Sequence, residues 1–533
     1  MKKNKLSPHA VRIILITFLV IVTCGLFFVA FAVKIKNPYQ VSIYNYESYL
    51  SKKIIGDIKK KYSYHEFSEV NEFTKAINKQ KAVAGIGSDH QIAQLILDQK
   101  IKKINFNKVY EDYSSEKLLA NYPKILRSHL EKYEQWIISK IKKENPTNDK
   151  SRPHIVYDQD DSSKIIGFEA DMKPGVDHFY EYLIPYFMQD KVIAYNINKK
   201  YRDHLKDIDS IVFKDTNWLT IIKTLVEKHN YKHISWTSSF LDNAMIGQFY
   251  ATESKIKNYL ISGKITQLDN KNYKEVFDHF FNFVKEATGR DIRDVRTNKL
   301  ITSGLELVND IIEPSNQRAD IAVMYNGDAV DSFYAKDNFE VLGDQQQIKY
   351  VRPKNNYMLL DAWIVSNAIS DKDSDDFLEF GSKHIFKGSN LSMQELEKEY
   401  INQVYKNLVE EDGSKSKYYE ENLFKNKDNN EIKTLEEISK SFYEENYDVF
   451  KDSFDFNPSV ANFDAVSYTP TYEGIIDFVK KYYFLKSDKK PNQEVVDLFS
   501  IEDNPNINRQ IYQPLDLELR NKVTDYYYQK TKS

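Results

Sequence analysis

Two aspartates carry the strongest chemical signal in this chain. Asp361 interrupts YMLLDAWIV (357–365), a run that otherwise reads as a buried strand. A carboxylate there must be paired or must face a cavity, because burying an unpaired charge is very costly. A core salt bridge and a ligand site both meet that demand. Asp242, in ISWTSSFLDNAM (234–245), lies at a strand-to-helix turn. An acid is favoured near a helix N-terminus for capping or dipole reasons alone. Tyr46 and Tyr49, in IYNYESYL (43–50), stand at the end of a strand-like segment, where core packing and a ligand wall are both open.

Other motifs point to no catalysis. DQDDSSKIIGFE (158–169) puts Asp158, Asp160, Ser162 and Glu169 at ligand positions of a calcium loop. Ser163 stands where that loop's sharp turn needs glycine, so an acidic surface loop is the expectation. Ser114 and Lys117 form a Ser-x-x-Lys without its Ser-Asp-Asn and Lys-Thr-Gly partners. There is no His-Glu-x-x-His, Gly-x-Ser-x-Gly or Walker A pattern. The single cysteine excludes a disulfide framework and a zinc spacing. The expectation is therefore a protein that is not an enzyme and holds no metal or cofactor.

The elements that must position these residues alternate. Strand patterns at 40–46, 64–67 and 82–87 are followed by helical patterns at 48–61, 70–79 and 89–100. Further strands are expected at 192–198, 233–237, 320–326 and 357–365, with helices at 218–229, 241–252 and 299–312. Such alternation predicts βαβ units and a parallel sheet. Residues 110–180 and 385–455 read as insertions, the second as a solvated, charge-rich helical excursion.

The 533 residues suggest roughly three to four domain-sized units. Hydrophobic residues at 41% supply a packed core. Lys and Arg (75) nearly balance Asp and Glu (78), which argues against a nucleic-acid partner. Residues 13–33 carry no charge, and at ~1.5 Å rise they span roughly 30 Å, the hydrocarbon thickness of a bilayer. Lys2, Lys3, Lys5 and Arg12 precede this segment, against Lys34 and Lys36 after it. The positive-inside bias predicts a single-pass cell-membrane anchor, a cytoplasmic N-terminus and an extracytoplasmic bulk. Cys24 follows Thr23 and precedes nine more apolar residues, a poor lipoprotein box, so a cysteine within the anchor is expected.

Several of these stretches occur in a telling order: IYNYESYL (43–50), GIGSDHQI (85–92), LIPYFMQDKVIAYNIN (183–198), ISWTSSFLDNAM, VMYNGDAV (323–330), YMLLDAWIV and VSYTPTYEG (466–474). Together they resemble the bacterial spermidine/putrescine-binding proteins, the extracytoplasmic receptors of polyamine ABC importers. The resemblance implies an α/β, two-lobed periplasmic-binding-protein-like fold of type II, preceded by the N-terminal transmembrane helix. Residues 1–37 would form tail and anchor, 38–190 plus 362–470 lobe one, and 191–361 plus 471–533 lobe two. It implies acids toward opposite ends of a ligand at Asp242 and Asp361, and aromatic walls at Tyr46, Tyr49, Tyr325 and Tyr468. Ser88 matches a polar position and Gln513 a late glutamine.

The departures from that pattern are Ser239 in place of a second acid, Leu359 and the tyrosines 46 and 325 in place of Trp, and His90 in place of Tyr. The implied partners are a polyamine or other small cationic ligand, ABC permease subunits with a separate ATPase, and the cell membrane. A receptor of the same fold for thiamine or a metal chelate, and a surface adhesion protein, are the alternatives. The polyamine reading requires Asp242 and Asp361 to share one opening, with neither consumed in a private ion pair.

Overall fold

A computed structural model describes residues 41–412 and 433–532, apart from 68–69, 172, 315–317, 336–337 and 344–345, together with six positions between 17 and 25. The anchor expected over 13–33, Cys24 included, lies outside the described residues except for Thr17, Phe18, Val20, Val22, Thr23 and Gly25, which are helical. Among the described residues no helix is long and apolar enough to cross a membrane.

The predicted alternation is present, and the sheet it builds is mixed rather than parallel. Ser42–Tyr46 pairs in parallel with Ser63–Phe67 and with Ala84–Ser88. Ile234–Thr237 pairs in parallel with Asn298–Ile301 and with Ile321–Tyr325. Two long strands, Ile184–Asn196 and Asn355–Ser366, join these parallel halves by antiparallel pairing. The result is two α/β lobes sharing one continuous sheet. Antiparallel closure was hidden in the sequence because strand periodicity carries no direction.

The first crossover strand, Ile184–Asn196, is buried along its whole length. Its first half pairs with the second crossover strand, Asp190 opposite Met358 and Ile184 opposite Trp363. Its second half pairs with Ile321–Tyr325, Lys191 opposite Tyr325. The chain therefore passes between lobes at residues 189–191. Side chains alternate across a strand, so Gln189 and Lys191 share one face and Asp190 takes the other. Arg352 Nε (3.0 Å) and Arg509 Nε (2.9 Å) hold the Asp190 carboxylate on that far side.

Local chemistry explains most boundaries. Ser51 caps the helix Lys52–Lys61 by accepting from the Ile54 N–H, and Ser239 caps Phe240–Glu253 by accepting from the Asp242 N–H. The helix expected over 299–312 divides into the strand Asn298–Ile301 and the helix Gly304–Ile312. Ser303 caps the latter, and Thr302-Ser303-Gly304 is the break that apolar spacing alone passed over.

The insertions are structural. Helix Lys124–Glu144 buries Leu126, His129, Leu130, Tyr133 and Ile137 at helical spacing. Helix Met393–Asp412 places Leu396, Tyr400, Ile401, Val404 and Leu408 in the larger core, and Tyr400 stacks on Phe454 with centroids 5.1 Å apart. The second insertion is thus an amphipathic packing layer and not merely a solvated excursion; residues 413–432 lie outside the described residues. Helices Glu473–Phe478 and Gln493–Phe499 lie in the same core, while helix Leu517–Lys532 packs into the smaller one around Trp218, Trp236, Phe280 and Tyr512.

Candidate functional site: a two-ended cleft

The crossover strands open onto a cleft of about 260 Å³ between the lobes. From one lobe come Tyr46, Tyr49, Phe67, Ser88, His90 and Asp361, and from the other Ser239, Asp242, Tyr325 and Tyr512, with Gln189 and Lys191 between. Several sit at element ends, whereas Asp361, Gln189 and Lys191 lie within the two crossover strands. Tyr46 and Ser88 close parallel strands, and Ser239 and Asp242 open a helix. Parallel strands deliver their C-terminal ends, and the following helix starts, to one rim.

At one end lies Asp361, 2% exposed. Strand register sets it directly opposite Ser88. Ser88 Oγ donates to its Oδ1 at 2.7 Å, Gln189 Nε2 donates to Oδ2 at 2.9 Å, and the Tyr49 hydroxyl donates to Oδ2. The Tyr46 hydroxyl lies 2.9 Å from Ser88 Oγ. All three direct donors are neutral. Burial pushes the Asp361 carboxyl up to about 7, against the opposing pull of these hydrogen bonds. Aromatic rings wall this end: Tyr46 and Tyr49 are 5.3 Å apart, and Tyr49 and Tyr468 5.1 Å.

At the other end lies Asp242. Its Oδ1 accepts from the Tyr512 hydroxyl at 2.7 Å and the Tyr325 hydroxyl at 3.4 Å. Its Oδ2 is 2.8 Å from Lys191 Nζ, and both side chains are 1% exposed. The same ammonium stands 3.4 Å from the Tyr325 ring centroid. This is a complete cation site, with a carboxylate and an aromatic face, and the chain's own lysine fills it.

A third acid, Asp328, lines the cleft and accepts from the Tyr468 hydroxyl at 2.7 Å. Burial raises its carboxyl above the usual range. The Tyr468 ring rests on Gly327, where a Cβ would overlap it. Beneath the cleft, Asp89 receives His129 Nε2 at 2.7 Å, the Tyr133 hydroxyl at 2.9 Å and the Leu360 N–H at 2.8 Å. Burial pushes the Asp89 carboxyl up, but hydrogen bonds and charge from His129 and His90 outweigh it and hold the group at about 2. His129 and Tyr133 belong to the first insertion, which therefore braces the floor of the cleft. Tyr133 also donates to the Tyr512 carbonyl at 2.9 Å, tying that floor to the far lobe.

Nine of the ten residues singled out from sequence line this cleft: Tyr46, Tyr49, Ser88, His90, Ser239, Asp242, Tyr325, Asp361 and Tyr468. His90 stacks on Tyr512 at 5.5 Å. Gln513 does not line it. Its amide bonds the backbone N–H and carbonyl of Leu268, because the neighbour, Tyr512, takes the inward position. The condition placed on Asp242 also fails. It shares the opening with Asp361, yet it is buried in an ion pair, so the expected pair of free carboxylates is not present. Lys191, Gln189, Asp328 and Tyr512 were missed. A lysine inside IPYFMQDKVIAYN is the same signal as an aspartate inside YMLLDAWIV, a charge in an apolar strand, and the two buried charges could have been sought as partners.

Among the described residues no group of three or more His, Cys, Asp or Glu is placed to hold a metal. The acidic stretch 158–169 forms a hairpin between His154–Tyr157 and Ile165–Glu169. Its Asp158 accepts from Lys164 Nζ at 3.0 Å, and its Asp161 accepts from Ser163 Oγ at 2.6 Å.

No family model and no curated protein matches the chain. Among solved structures, its neighbours include a protein of Listeria monocytogenes described as a spermidine/putrescine ABC transporter. That likeness has 12% identity and a TM-score of 0.46, covering 92% of this chain and 98% of that one. The spermidine/putrescine ABC transporter substrate-binding protein PotD of Streptococcus pneumoniae is similar at 12% identity and TM-score 0.43, with 92% and 98% covered. The binding protein MotA of A. tumefaciens, in complex with glucopine, is similar at 9% identity and TM-score 0.40, with 92% and 100% covered. At these identities and scores the reading of the site rests on its own atoms.

Proposed function

We propose that this chain is a solute receptor whose cleft takes a small organic cation on Asp361 and delivers it to ABC permease subunits served by a separate ATPase. In this reading residues 13–33 tether it to the cell membrane and the lobes lie outside. One observation carries the proposal: Asp361 is buried, faces the cleft, and among the described residues is held by the neutral groups of Tyr49, Ser88 and Gln189. A buried carboxylate with neutral partners takes up either a proton or a cation. The rings of Tyr46, Tyr49 and Tyr468 suit an ammonium, each contact contributing about 0.5–2 kcal/mol when desolvated. Two lobes joined by two crossover strands suit closure around a ligand by hinge motion. Ser88 and Tyr49 commit their hydroxyls to orienting Asp361, an arrangement that suits capture of a cation.

Calorimetry of the full chain with putrescine, spermidine and thiamine tests it. Heat with at least one of them, abolished in Asp361→Asn, supports a cation receptor. Silence with all three removes the proposal and favours a surface adhesion role.

A further inference from the structure

The cleft holds two sites of cation-binding chemistry, and they differ in occupancy. The Asp361 end has acid and rings and, among the described residues, no cation paired with the carboxylate. The Asp242 end has acid and rings with Lys191 Nζ in place, 2.8 Å from the carboxylate and 3.4 Å from the Tyr325 centroid. We propose that Lys191 is a built-in surrogate for a ligand's second ammonium group, and that it restricts the receptor to solutes carrying a single cationic group. This rests on the cation reading of Asp361 given above.

At the Asp242 end the geometry leaves a second ligand ammonium without a partner. Asp242 Oδ2 is ion-paired with Lys191 Nζ at 2.8 Å, and Oδ1 accepts from the hydroxyls of Tyr512 and Tyr325. The face of Tyr325 is covered by the same lysine. A diamine that reached this end would meet a buried like charge, and like charges at close range are repelled far more strongly here than in water. Lys191 has little freedom to withdraw. It lies mid-strand opposite Tyr325, on the cleft face, 1% exposed. Selectivity of this kind works by placing a repulsive element against the wrong ligand.

The experiment compares n-butylamine with putrescine, which differ by one ammonium on the same carbon chain, using calorimetry on the full chain and on Lys191→Met. In the native protein n-butylamine is expected to bind about tenfold more tightly than putrescine. In Lys191→Met, putrescine binding is expected to strengthen about tenfold or more, with butylamine changed less than about threefold. The double variant Lys191→Met/Asp242→Asn removes the whole buried pair and guards against misfolding of the single one. It should bind butylamine and show no gain for putrescine. The inference is overturned if the native protein binds putrescine as tightly as butylamine or more tightly, or if Lys191→Met strengthens both amines equally, either result leaving the cation reading intact. If neither amine binds any of the three proteins, the cation reading itself falls with it.

Discussion

The two ends of the cleft hold the same kind of group in opposite electrostatic states. Asp361 has three neutral donors and a carboxyl raised to about 7. Asp242 has two phenols and an ammonium. Hydrogen bonds from hydroxyls and amides orient a carboxylate, but they do not replace the counter-charge that water's response supplied. A lysine at 2.8 Å does. The difference separates a site with unmet electrostatic demand, which suits a ligand, from one already satisfied by the fold.

That contrast is sharpest in stability. Lys191→Met strands a buried carboxylate, so a loss of about 3–5 kcal/mol is expected in urea unfolding, most of it recovered in Lys191→Met/Asp242→Asn. Asp361→Asn removes a charge that has no paired counter-charge among the described residues, so it should leave stability at pH 8 unchanged or raised. Equal losses in the two single variants would erase the distinction drawn here. In affinity the order reverses: Asp361→Asn should weaken cation binding by about 30-fold or more in calorimetry, since truncating a buried charge pair costs roughly 2–5 kcal/mol.

Acid should also separate the carboxylates. The folded Asp361 carboxyl, at about 7, holds its proton more tightly than the unfolded one near 3.8. Its contribution to the stability of the ligand-free protein therefore falls as pH rises through that interval, and this part of the slope disappears in Asp361→Asn. A cation needs the ionised form, so affinity should drop about tenfold per pH unit below 7. Asp89, held at about 2, has the opposite sign: its stabilisation is full above 3.8 and is lost as pH falls toward 2. Thermal melts and calorimetry between pH 3 and 8 read both trends. An affinity flat from pH 5 to 8 would remove Asp361 from the binding step.

Smaller effects test the walls. Gly327→Ala places a methyl in the Tyr468 ring, and the displaced ring should weaken cation binding about 2- to 10-fold and lower unfolding stability by about 1–3 kcal/mol. Gln513→Ala should change affinity less than about twofold, because its amide serves the Leu268 backbone and not the cleft. A large loss there would return Gln513 to the site.

Periodicity and turn chemistry made the strands and helices around Tyr46, Ser88, Asp242 and Asp361 legible from sequence. A carboxylate inside YMLLDAWIV announced that something must compensate it. Gln513 was misplaced by one residue because, at the end of a short strand, alternation decides which neighbour faces inward, and resemblance does not fix that phase. The insertions were read as charge-rich additions, yet His129 and Tyr133 of the first hold Asp89 under the site. Their role was invisible because the groups that pair lie 40 and 44 residues apart.

Sequence alone determined that Asp361 could not be an ordinary core residue, since residue type and apolar context set the cost of burying a charge. Only the tertiary structure decided which acid is compensated from within. Lys191 and Asp242 sit 51 positions apart, brought to 2.8 Å because the crossover strand joins the sheet of the lobe whose helix carries Asp242. Coulombic pairing depends on distance through space, which local pattern along the chain does not encode.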